Sequence, residues 1–469
     1  MTQDILKKAI ALTLSLPHSL KFSHAQILTR LRAHALTFPL SLLLLSCSPQ
    51  IETHFCTSED ILLIPQSTEQ ARLSRYQRRQ SCNDVLAYIP DTTQLSHRPM
   101  RYVRVNVHFM NSADSSQNYW GDEAITFAEK MIGNVNIDLT NNAKMNLPLG
   151  NDTPVLPTQY RLRLTGQPDT PDDKGIYCHF DDELYYHVHK GKNRNISKRD
   201  AINKYSIQKD SVVNIFLMPH HPDSVISKSY AGGVVGVALG TAIKLGGDFK
   251  SRRPYWHYRQ TLNHEVGHVF GLQHTWAYND GCSDTPKNPN CWNKGSGVCD
   301  SLLSNNLMDY NAWQLALTPC QIGRVHRMMS KEGRKRNMLI PTWCTLDSSK
   351  TVYIRDTVVW RGAYDLEGHI KIERGGSLEI QCRAALPPDA HIKIAAGGEL
   401  ILNNGQLHNA CEQTWEGILI ESKGEEKGIL KLQGDYTIED MRMPIAGLAV
   451  TEETTEKSSN NTIRQLKKN

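Results

Sequence analysis

The feature of this sequence that most constrains its fold is the eleven-residue stretch HEVGHVFGLQH, which runs from His264 to His274. His264 and His268 are four residues apart, so on a helix their side chains lie on one face, one turn apart. Gly271 tolerates positive φ and can end that helix, which lets the chain turn and bring His274 towards the other two histidines. Three imidazole nitrogens can bind one zinc ion and leave its fourth position open, as in catalytic zinc sites. Glu265, beside the first ligand, is placed to act as general base towards zinc-bound water.

Further patterned segments follow this stretch. They are Gly281–Pro286 (GCSDTP), Asn306–Tyr310 (NLMDY), Leu317–Gln321 (LTPCQ) and Arg327–Met329 (RMM). Together with the histidine stretch, they resemble the pappalysin/cytophagalysin family of metzincin zinc endopeptidases, over roughly residues 100 to 345. The resemblance implies an enzyme with one catalytic zinc ion that hydrolyses peptide bonds in protein or peptide substrates.

The resemblance also implies roles for residues outside the histidine stretch. Met308 would form a hydrophobic base beneath the three histidines. Tyr310 would lean towards the zinc and stabilise the oxyanion of the tetrahedral intermediate. A calcium ion at Asp280 or Asp284 is also allowed, although Asn279–Ser283 departs from the Gly-Asp pair that the family often has there.

Residues 99–345 are predicted to form the catalytic domain, an α/β zincin (metzincin) fold with a mixed sheet and an active-site helix. The periodicity of apolar residues predicts its elements. In order, they are strand Arg101–Met110, helix Gly121–Thr140, strands Tyr160–Leu164, Val212–Met218 and Ala231–Leu239, and the active-site helix from about Tyr258 to Gly271. By the metzincin resemblance, Ala231–Leu239 would be an edge strand that binds extended peptide as an added antiparallel strand.

Residues 346–451 are predicted to form an all-β module. The segment HIKIERGGSLEI at 369–380 recurs as HIKIAAGGELIL at 391–402, an offset of 22 residues. Short alternating strands separated by Gly-Gly at this period predict a parallel β-helix-like fold, with a small β-sandwich as the alternative. The module would serve binding or spacing, and the polar tail at 452–469 is predicted to be disordered.

The N-terminal residues 1–46 are predicted to be a signal peptide, because the apolar run 33–45 is too short to span a bilayer. The run ends in LLSC, which resembles a bacterial lipobox with the lipid attached to Cys47. The alternative is a plain secretory signal in which Cys47 is free or paired. Residues 47–98 would be the lipid-anchor tether and a candidate pro-segment. The protein is therefore expected to be exported, either secreted or a cell-surface or outer-membrane lipoprotein.

The 11 cysteines predict disulfides and an oxidising compartment. With Cys47 removed, the remaining ten can all pair. Cys82 is a candidate latency switch that would ligate the zinc in place of water, and a disulfide between Cys82 and Cys56 is the alternative.

Charge gives no indication of nucleic acid binding. The net charge is +5, but residues 1–46 hold five lysines and arginines against one aspartate, so the remainder carries only about +1. The adjacent His220 and His221 are interpreted as part of a polar loop, because neighbouring side chains at a strand end point in different directions.

The sequence favours a secreted or surface-anchored zinc metalloendopeptidase. A surface binding or adhesion protein that keeps a zinc site and uses the β-rich module for contact is the alternative. A zinc-dependent hydrolase of non-peptide amides is a third hypothesis. Contact with a membrane is expected only through a lipid at Cys47, and no oligomeric state is predicted.

Overall fold

The fold is described from a computed structural model. It covers residues 52–56, 60–64, 67, 69, 73, 78–114, 118–221, 234–247, 249, 253–275, 280–286, 304–309, 314–331, 333–443 and 462–463. The predicted signal peptide, Cys47 and Tyr310 lie outside these residues. Among the helices of the described part, none combines the length and the apolar character that a membrane span requires.

The strands are numbered in chain order. They are β1 Glu52–Phe55, β2 Ile61–Leu63, β3 Arg101–Asn111, β4 Tyr160–Leu164, β5 Ile176–Phe180, β6 Val213–Pro219, β7 Val235–Leu239, β8 Ala242–Gly247, β9 Val352–Ile354, β10 Thr357–Trp360, β11 Tyr364–Asp365, β12 Ile370–Ile372, β13 Ser377–Ile380, β14 Arg383–Ala385, β15 His391–Ile394, β16 Glu399–Asn403, β17 Gln406–His408, β18 Gly417–Lys423, β19 Glu426–Lys427, β20 Ile429–Gln433, β21 Thr437–Ile438 and β22 Thr462–Ile463.

The α-helices are α1 Gly121–Thr140, α2 Asp200–Tyr205, α3 Arg259–Val269, α4 Pro319–Ser330 and α5 Arg334–Asn337. Short 3-10 turns lie at Val85–Tyr88, Leu95–His97, Tyr255–His257, Thr342–Cys344 and Ser348–Lys350. The elements predicted in the catalytic domain are all present within the described residues, with ends that differ from the predicted ones by a few residues at most, apart from β7. That strand begins at Val235, and 231–233 lie outside the described residues.

The first half of the chain is built on a mixed sheet with the order β4-β3-β6-β8-β7, and β5 pairs with the far end of β3. All these strands run parallel except β7, which is antiparallel to β8. The central strand β6 is buried along its whole length. Ile215 and Leu217 pack into the core that includes α1 and α3, whereas Phe216 and Met218 pack with α2, as alternation along a strand requires.

Residues 352–438 form three stacks of strands. Consecutive turns of the chain add parallel strands in the orders β9-β12-β15-β18, β10-β13-β16-β20 and β11-β14-β17-β21. The register aligns Ile370 with Ile392 and Leu378 with Leu400, each 22 residues apart. The aligned isoleucines and leucines are fully buried, so the repeat places one apolar side chain above another in a continuous core.

Segments from both ends of the chain extend these stacks. β1 pairs antiparallel with β18, β2 pairs parallel with β20, and β22 pairs with β21. Residues 52–55 and 61–63 are therefore strands of the β-rich module, which differs from the irregular tether expected for 47–98. The physical reason is that β18 and β20 would otherwise present unpaired backbone groups.

The described disulfides confirm the prediction that this chain contains disulfides, and they correct the predictions for Cys82. They join Cys82 to Cys382, Cys282 to Cys320 and Cys344 to Cys411. Because its sulfur is bonded to that of Cys382, Cys82 provides no thiolate for a zinc ion, so the predicted latency switch is wrong for this structure, as is the pairing with Cys56.

Although the ten remaining cysteines are even in number and could all pair, Cys56 and Cys178 are free. Cys56 is buried in the core of the β-rich module. The Cys178 sulfur accepts a hydrogen bond from the backbone N–H of Gly121.

A buried carboxylate joins the two halves of the described chain. The Asp365 cluster consists of Asp365 on β11 and three arginines, Arg101, Arg336 and Arg383, whose nitrogens lie 3.6, 2.6 and 2.7 Å from the carboxylate oxygens of Asp365. Burial alone would raise the pKa of Asp365, but the three guanidinium groups hold it well below its usual range. The cluster therefore carries buried charges of both signs in direct contact.

Candidate metal centre

The three histidines of the eleven-residue stretch converge, and we call them the histidine cluster. The Nε2 atom of His264 lies 3.1 Å from that of His268 and 3.2 Å from that of His274, and the remaining pair is 3.0 Å apart. Two nitrogens bound to one tetrahedral zinc ion at about 2.05 Å would be about 3.3 Å apart. The spacing therefore fits three ligands of one ion.

Hydrogen bonds to the other ring nitrogens fix which atoms face the centre. His264 Nδ1 donates to the carbonyl oxygen of Leu307 at 2.7 Å, and His268 Nδ1 donates to that of Leu272 at 2.9 Å. Burial lowers the pKa of His264 to about 3 and that of His274 to about 4, and it also lowers the pKa of His268. In neutral rings held this way the Nε2 atoms of His264 and His268 carry lone pairs, which repel at 3.1 Å unless a cation lies between them. The residues present thus fit a zinc ion.

The end of α3 explains how His274 reaches the centre. Gly271 has φ of +85°, its N–H donates to the His268 carbonyl oxygen, and the N–H of Leu272 donates to that of Gly267. This pair of hydrogen bonds is a Schellman motif, in which a left-handed glycine reverses the chain just after a helix. The reversal also presents the Leu272 carbonyl oxygen to His268. One turn therefore both delivers the third histidine and orients the second.

Glu265 lies on the same helix, under strand β7. Only 5% of the residue is exposed, and its carboxylate accepts a hydrogen bond from the backbone N–H of Ala238. A Cβ atom at Gly236 would lie 2.6 Å from Glu265 Oε1, so the backbone of β7 passes directly over the carboxylate. Burial raises the pKa of Glu265 to about 7, and the hydrogen bond from Ala238 opposes that rise.

Met308 lies on the opposite side of α3 from β7. It is fully buried, and a Cβ atom at Gly267 would lie 2.6 Å from its sulfur. The structure therefore brings Met308 against the helix between His264 and His268. Tyr310 lies outside the described residues, so its predicted role is not tested.

The aspartates considered for calcium make hydrogen bonds within the chain. Asp280 accepts from the N–H of Cys282 at 3.0 Å and from the Thr285 hydroxyl at 2.6 Å. Asp284 accepts from the N–H of Cys320 at 2.9 Å. Together with the disulfide between Cys282 and Cys320, these bonds fasten the segment after the histidine stretch to α4, and the calcium prediction stays untested.

The adjacent histidines His220 and His221 do not join the histidine cluster. The N–H of His220 donates to the carbonyl oxygen of Gly247, and the ring of His221 packs edge-on against Tyr186 with ring centroids 4.5 Å apart. His220 is buried, and its backbone continues the pairing at the end of β6 through a parallel bridge with His187, so the predicted polar loop is wrong for this residue.

Several residues at the site were not identified from the sequence. Gly236 and Ala238 lie on β7 and contact Glu265 on helix α3. Nothing in the sequence pattern near either element indicates that contact. Asn306 and Gln321 belong to the patterned segments that follow the histidine stretch, yet no role was predicted for them. The structure shows that their side-chain amides exchange two hydrogen bonds beneath the site.

Residues 241–330 match the family model of pregnancy-associated plasma protein-A, a family of peptidases. Among solved structures, the chain is similar to Tannerella forsythia mature mirolysin in complex with a cleaved peptide, with 19% identity over 50% of this chain and 94% of that chain and a TM-score of 0.34. A promirolysin mutant from the same organism matches with 17% identity over 58% of this chain and 94% of that chain, with a TM-score of 0.35. The comparison with curated proteins gave no match.

Proposed function

We propose that this chain cuts peptide bonds with Glu265 as its general base. The match of residues 241–330 supports a metzincin of the pappalysin type and hence a zinc metalloendopeptidase. The observation that carries the proposal is the convergence of the three Nε2 atoms within 3.2 Å, beside the buried Glu265 carboxylate, which lies on the same helix as His264 and His268. A cation site with an adjacent proton acceptor provides the two groups that metal-assisted peptide hydrolysis uses.

The side chains divide the chemistry among them. His264, His268 and His274 would hold the zinc, which when bound polarises the scissile carbonyl and lowers the pKa of a water molecule. Glu265 accepts the proton of the attacking water and then passes it to the leaving amine. Its burial supports the role of proton acceptor, because a desolvated carboxylate binds a proton more readily than an exposed one. Tyr310 is assigned to the developing oxyanion by the family resemblance.

The substrate is proposed to be an extended peptide that binds along β7. In the described part of the chain, β7 is the last strand of its sheet, after β8. The N–H of Ala238 points away from β8, towards Glu265, so the free edge of this strand faces the catalytic residue. A peptide added antiparallel to β7 would place its backbone carbonyl groups beside Glu265.

The remaining parts of the chain are proposed to serve export and binding. We infer that residues 346–451 form a parallel β-helix that acts as a binding or spacing module, supported by the 22-residue register of its parallel strands. Residues 1–46 would direct export, and Cys47 would carry the lipid. Three disulfides in the described residues support an oxidising compartment.

The test is cleavage of a mixed peptide library by the full chain, beside Glu265→Gln, with bound zinc measured in both. We expect one zinc ion per chain in both proteins, and cleavage by the variant at least about 10³-fold slower. Cut sites in the wild type would then define the specificity. If both proteins bind zinc and neither cuts, the endopeptidase proposal fails, and a binding or adhesion protein with a zinc site takes its place.

A further inference from the structure

The turn that contains Met308, residues 306–309, is linked to helix α4 by hydrogen bonds between two buried side-chain amides. Asn306 is fully buried and Gln321 is 2% exposed. Asn306 Nδ2 donates to Gln321 Oε1 at 2.8 Å, and Gln321 Nε2 donates to Asn306 Oδ1 at 3.1 Å. We call this reciprocal contact the amide pair. It spans 15 residues of sequence and lies below the histidine cluster rather than in it.

Backbone donors fix the orientation of both amides. The N–H of Met308 donates to Asn306 Oδ1 at 2.8 Å, and the N–H of Thr318 donates to Gln321 Oε1 at 3.1 Å. A flip of either amide would place an NH₂ group against one of these N–H donors. Thr318 is in turn the N-cap of α4, and its hydroxyl accepts from the N–H of Gln321 at 3.2 Å. The network therefore has one arrangement that satisfies every donor.

The other end of the network reaches a proposed zinc ligand. Between Asn306 and Met308, the Leu307 carbonyl oxygen accepts the 2.7 Å hydrogen bond from His264 Nδ1. The position of this carbonyl sets the plane of the His264 ring and the direction of its Nε2 lone pair. Any movement of the turn that the amide pair restrains is therefore transmitted to the centre through one hydrogen bond.

We propose that Gln321 is a positioning residue for the zinc centre: through Asn306 and the Leu307 carbonyl, it holds His264 in the orientation that binds the metal. The proposal rests on the proposed zinc endopeptidase function and concerns the geometry of that same site. Gln321 touches neither the metal nor the substrate, so it acts only through the turn.

A near-isosteric substitution tests this without removing packing. In Gln321→Glu, one oxygen keeps the hydrogen bonds from Asn306 Nδ2 and Thr318 N–H, while the other replaces Nε2 and faces Asn306 Oδ1, at 3.1 Å in the native pair. When the new carboxyl group is ionised, two acceptors meet, and the turn must shift. Asn306→Asp breaks the same pair from the other side and serves if the first variant does not fold. Val325→Ala, at a fully buried position of the same helix, is the control for general destabilisation.

The measurements are the zinc dissociation constant by chelator competition, the absorption spectrum of the Co(II)-substituted protein, and kcat and KM separately, all on the full chain. We expect Gln321→Glu to raise the zinc dissociation constant about 10- to 100-fold, to change the Co(II) spectrum, and to lower kcat with KM nearly unchanged. Val325→Ala should lower the melting temperature while leaving metal affinity and spectrum within twofold of the wild type.

The outcomes separate the two proposals. If the wild type binds zinc and cuts peptides while both amide variants keep its zinc affinity and Co(II) spectrum, Gln321 is only a helix-capping residue and the positioning proposal is overturned. It is also overturned if Val325→Ala weakens zinc binding as much as Gln321→Glu does. If the wild type itself neither binds zinc nor cuts, the proposed function has failed instead.

Discussion

The histidine cluster and the Asp365 cluster are both buried polar groups, and they differ in whether the protein supplies the opposing charge. Around Asp365, one carboxylate is surrounded by three guanidinium groups, so anion and cations are both part of the chain. In the histidine cluster, neutral rings place three nitrogens within 3.2 Å, and none of these side chains supplies a cation.

This difference distinguishes a group of side chains that can bind a cation from one whose charges are already paired within the chain. A buried charge group that is complete within the chain offers nothing to a ligand, and removing one of its members leaves the others buried without their partner. A buried group of lone pairs that lacks its cation gains stability only when a metal binds, and the bound metal can then act on a substrate.

The largest expected effect is the loss of one histidine ligand. His268→Ala should lower the peptide-cleaving activity by at least about 10³-fold and reduce bound zinc to well below one ion per chain, because two ligands remain for the metal. His257→Ala is the matched control, because this exposed histidine lies just before the same helix. Metal analysis and activity assays on both variants provide the check. Full zinc occupancy in His268→Ala would contradict the assignment of that ligand.

Removal of the carboxylate from the Asp365 cluster is expected to affect stability instead. Asp365→Ala leaves three buried arginines without their anion and should lower the free energy of unfolding by about 3–5 kcal/mol. Denaturant unfolding measures this loss in the free energy of unfolding. The zinc content of the folded fraction is measured alongside. Arg334→Ala breaks an exposed ion pair with Asp210, and it should cost only about 0–1 kcal/mol. Equal losses in the two variants would show that the Asp365 cluster has no special structural role.

A third prediction concerns β7, the strand above the Glu265 carboxylate. In Gly236→Ala, the new methyl group would lie 2.6 Å from Glu265 Oε1 and 2.8 Å from the Thr261 methyl group, so β7 must move away. A displacement of about 1 Å at a reacting group can lower the rate about 10²-fold, so we expect kcat/KM to fall about 10- to 100-fold with zinc retained. Val237→Ala changes a side chain on the opposite face of β7 and should have little effect. Unchanged kinetics in Gly236→Ala would argue against β7 as the cover of the active site.

Sequence predicts those parts of this structure that depend on the spacing of residues within one helix or one repeat. The spacing of His264 and His268 places both on one helix face, and the 22-residue offset equals the register that pairs Ile370 with Ile392. The contacts that complete the site are not local. The Leu307 carbonyl oxygen reaches His264 across 43 residues, and Cys82 bonds to Cys382 across 300.

Such contacts depend on how separate elements pack, and a pattern within one element contains no information about its partner. The same limit explains why residues 52–55 and 61–63 were expected to belong to a tether. Their sequence is short and irregular, and only the unpaired edges of β18 and β20 make strands of them.

The smallest expected effect concerns His326, a buried histidine outside both clusters. Burial lowers its pKa to about 3, and its Nε2 donates to the Thr158 carbonyl oxygen at 2.8 Å. In the unfolded chain a histidine has a pKa of about 6.5. Between these two pH values the unfolded state binds one more proton than the folded state. The contribution of the neutral His326 ring to the free energy of unfolding is therefore complete above pH 6.5 and decreases as the pH falls.

We therefore expect His326→Gln, which keeps a donor for Thr158, to flatten the pH dependence of unfolding. Below pH 6 the slope should fall by up to about 1.4 kcal/mol per pH unit, the value for one proton. Denaturant unfolding of metal-free protein at several pH values from 7.5 to 4.5 measures the slope, and the metal-free state keeps zinc loss from contributing. His257→Gln, at an exposed position, is the control and should leave the slope unchanged. A variant with the wild-type slope would mean that His326 already takes up its proton in the folded protein.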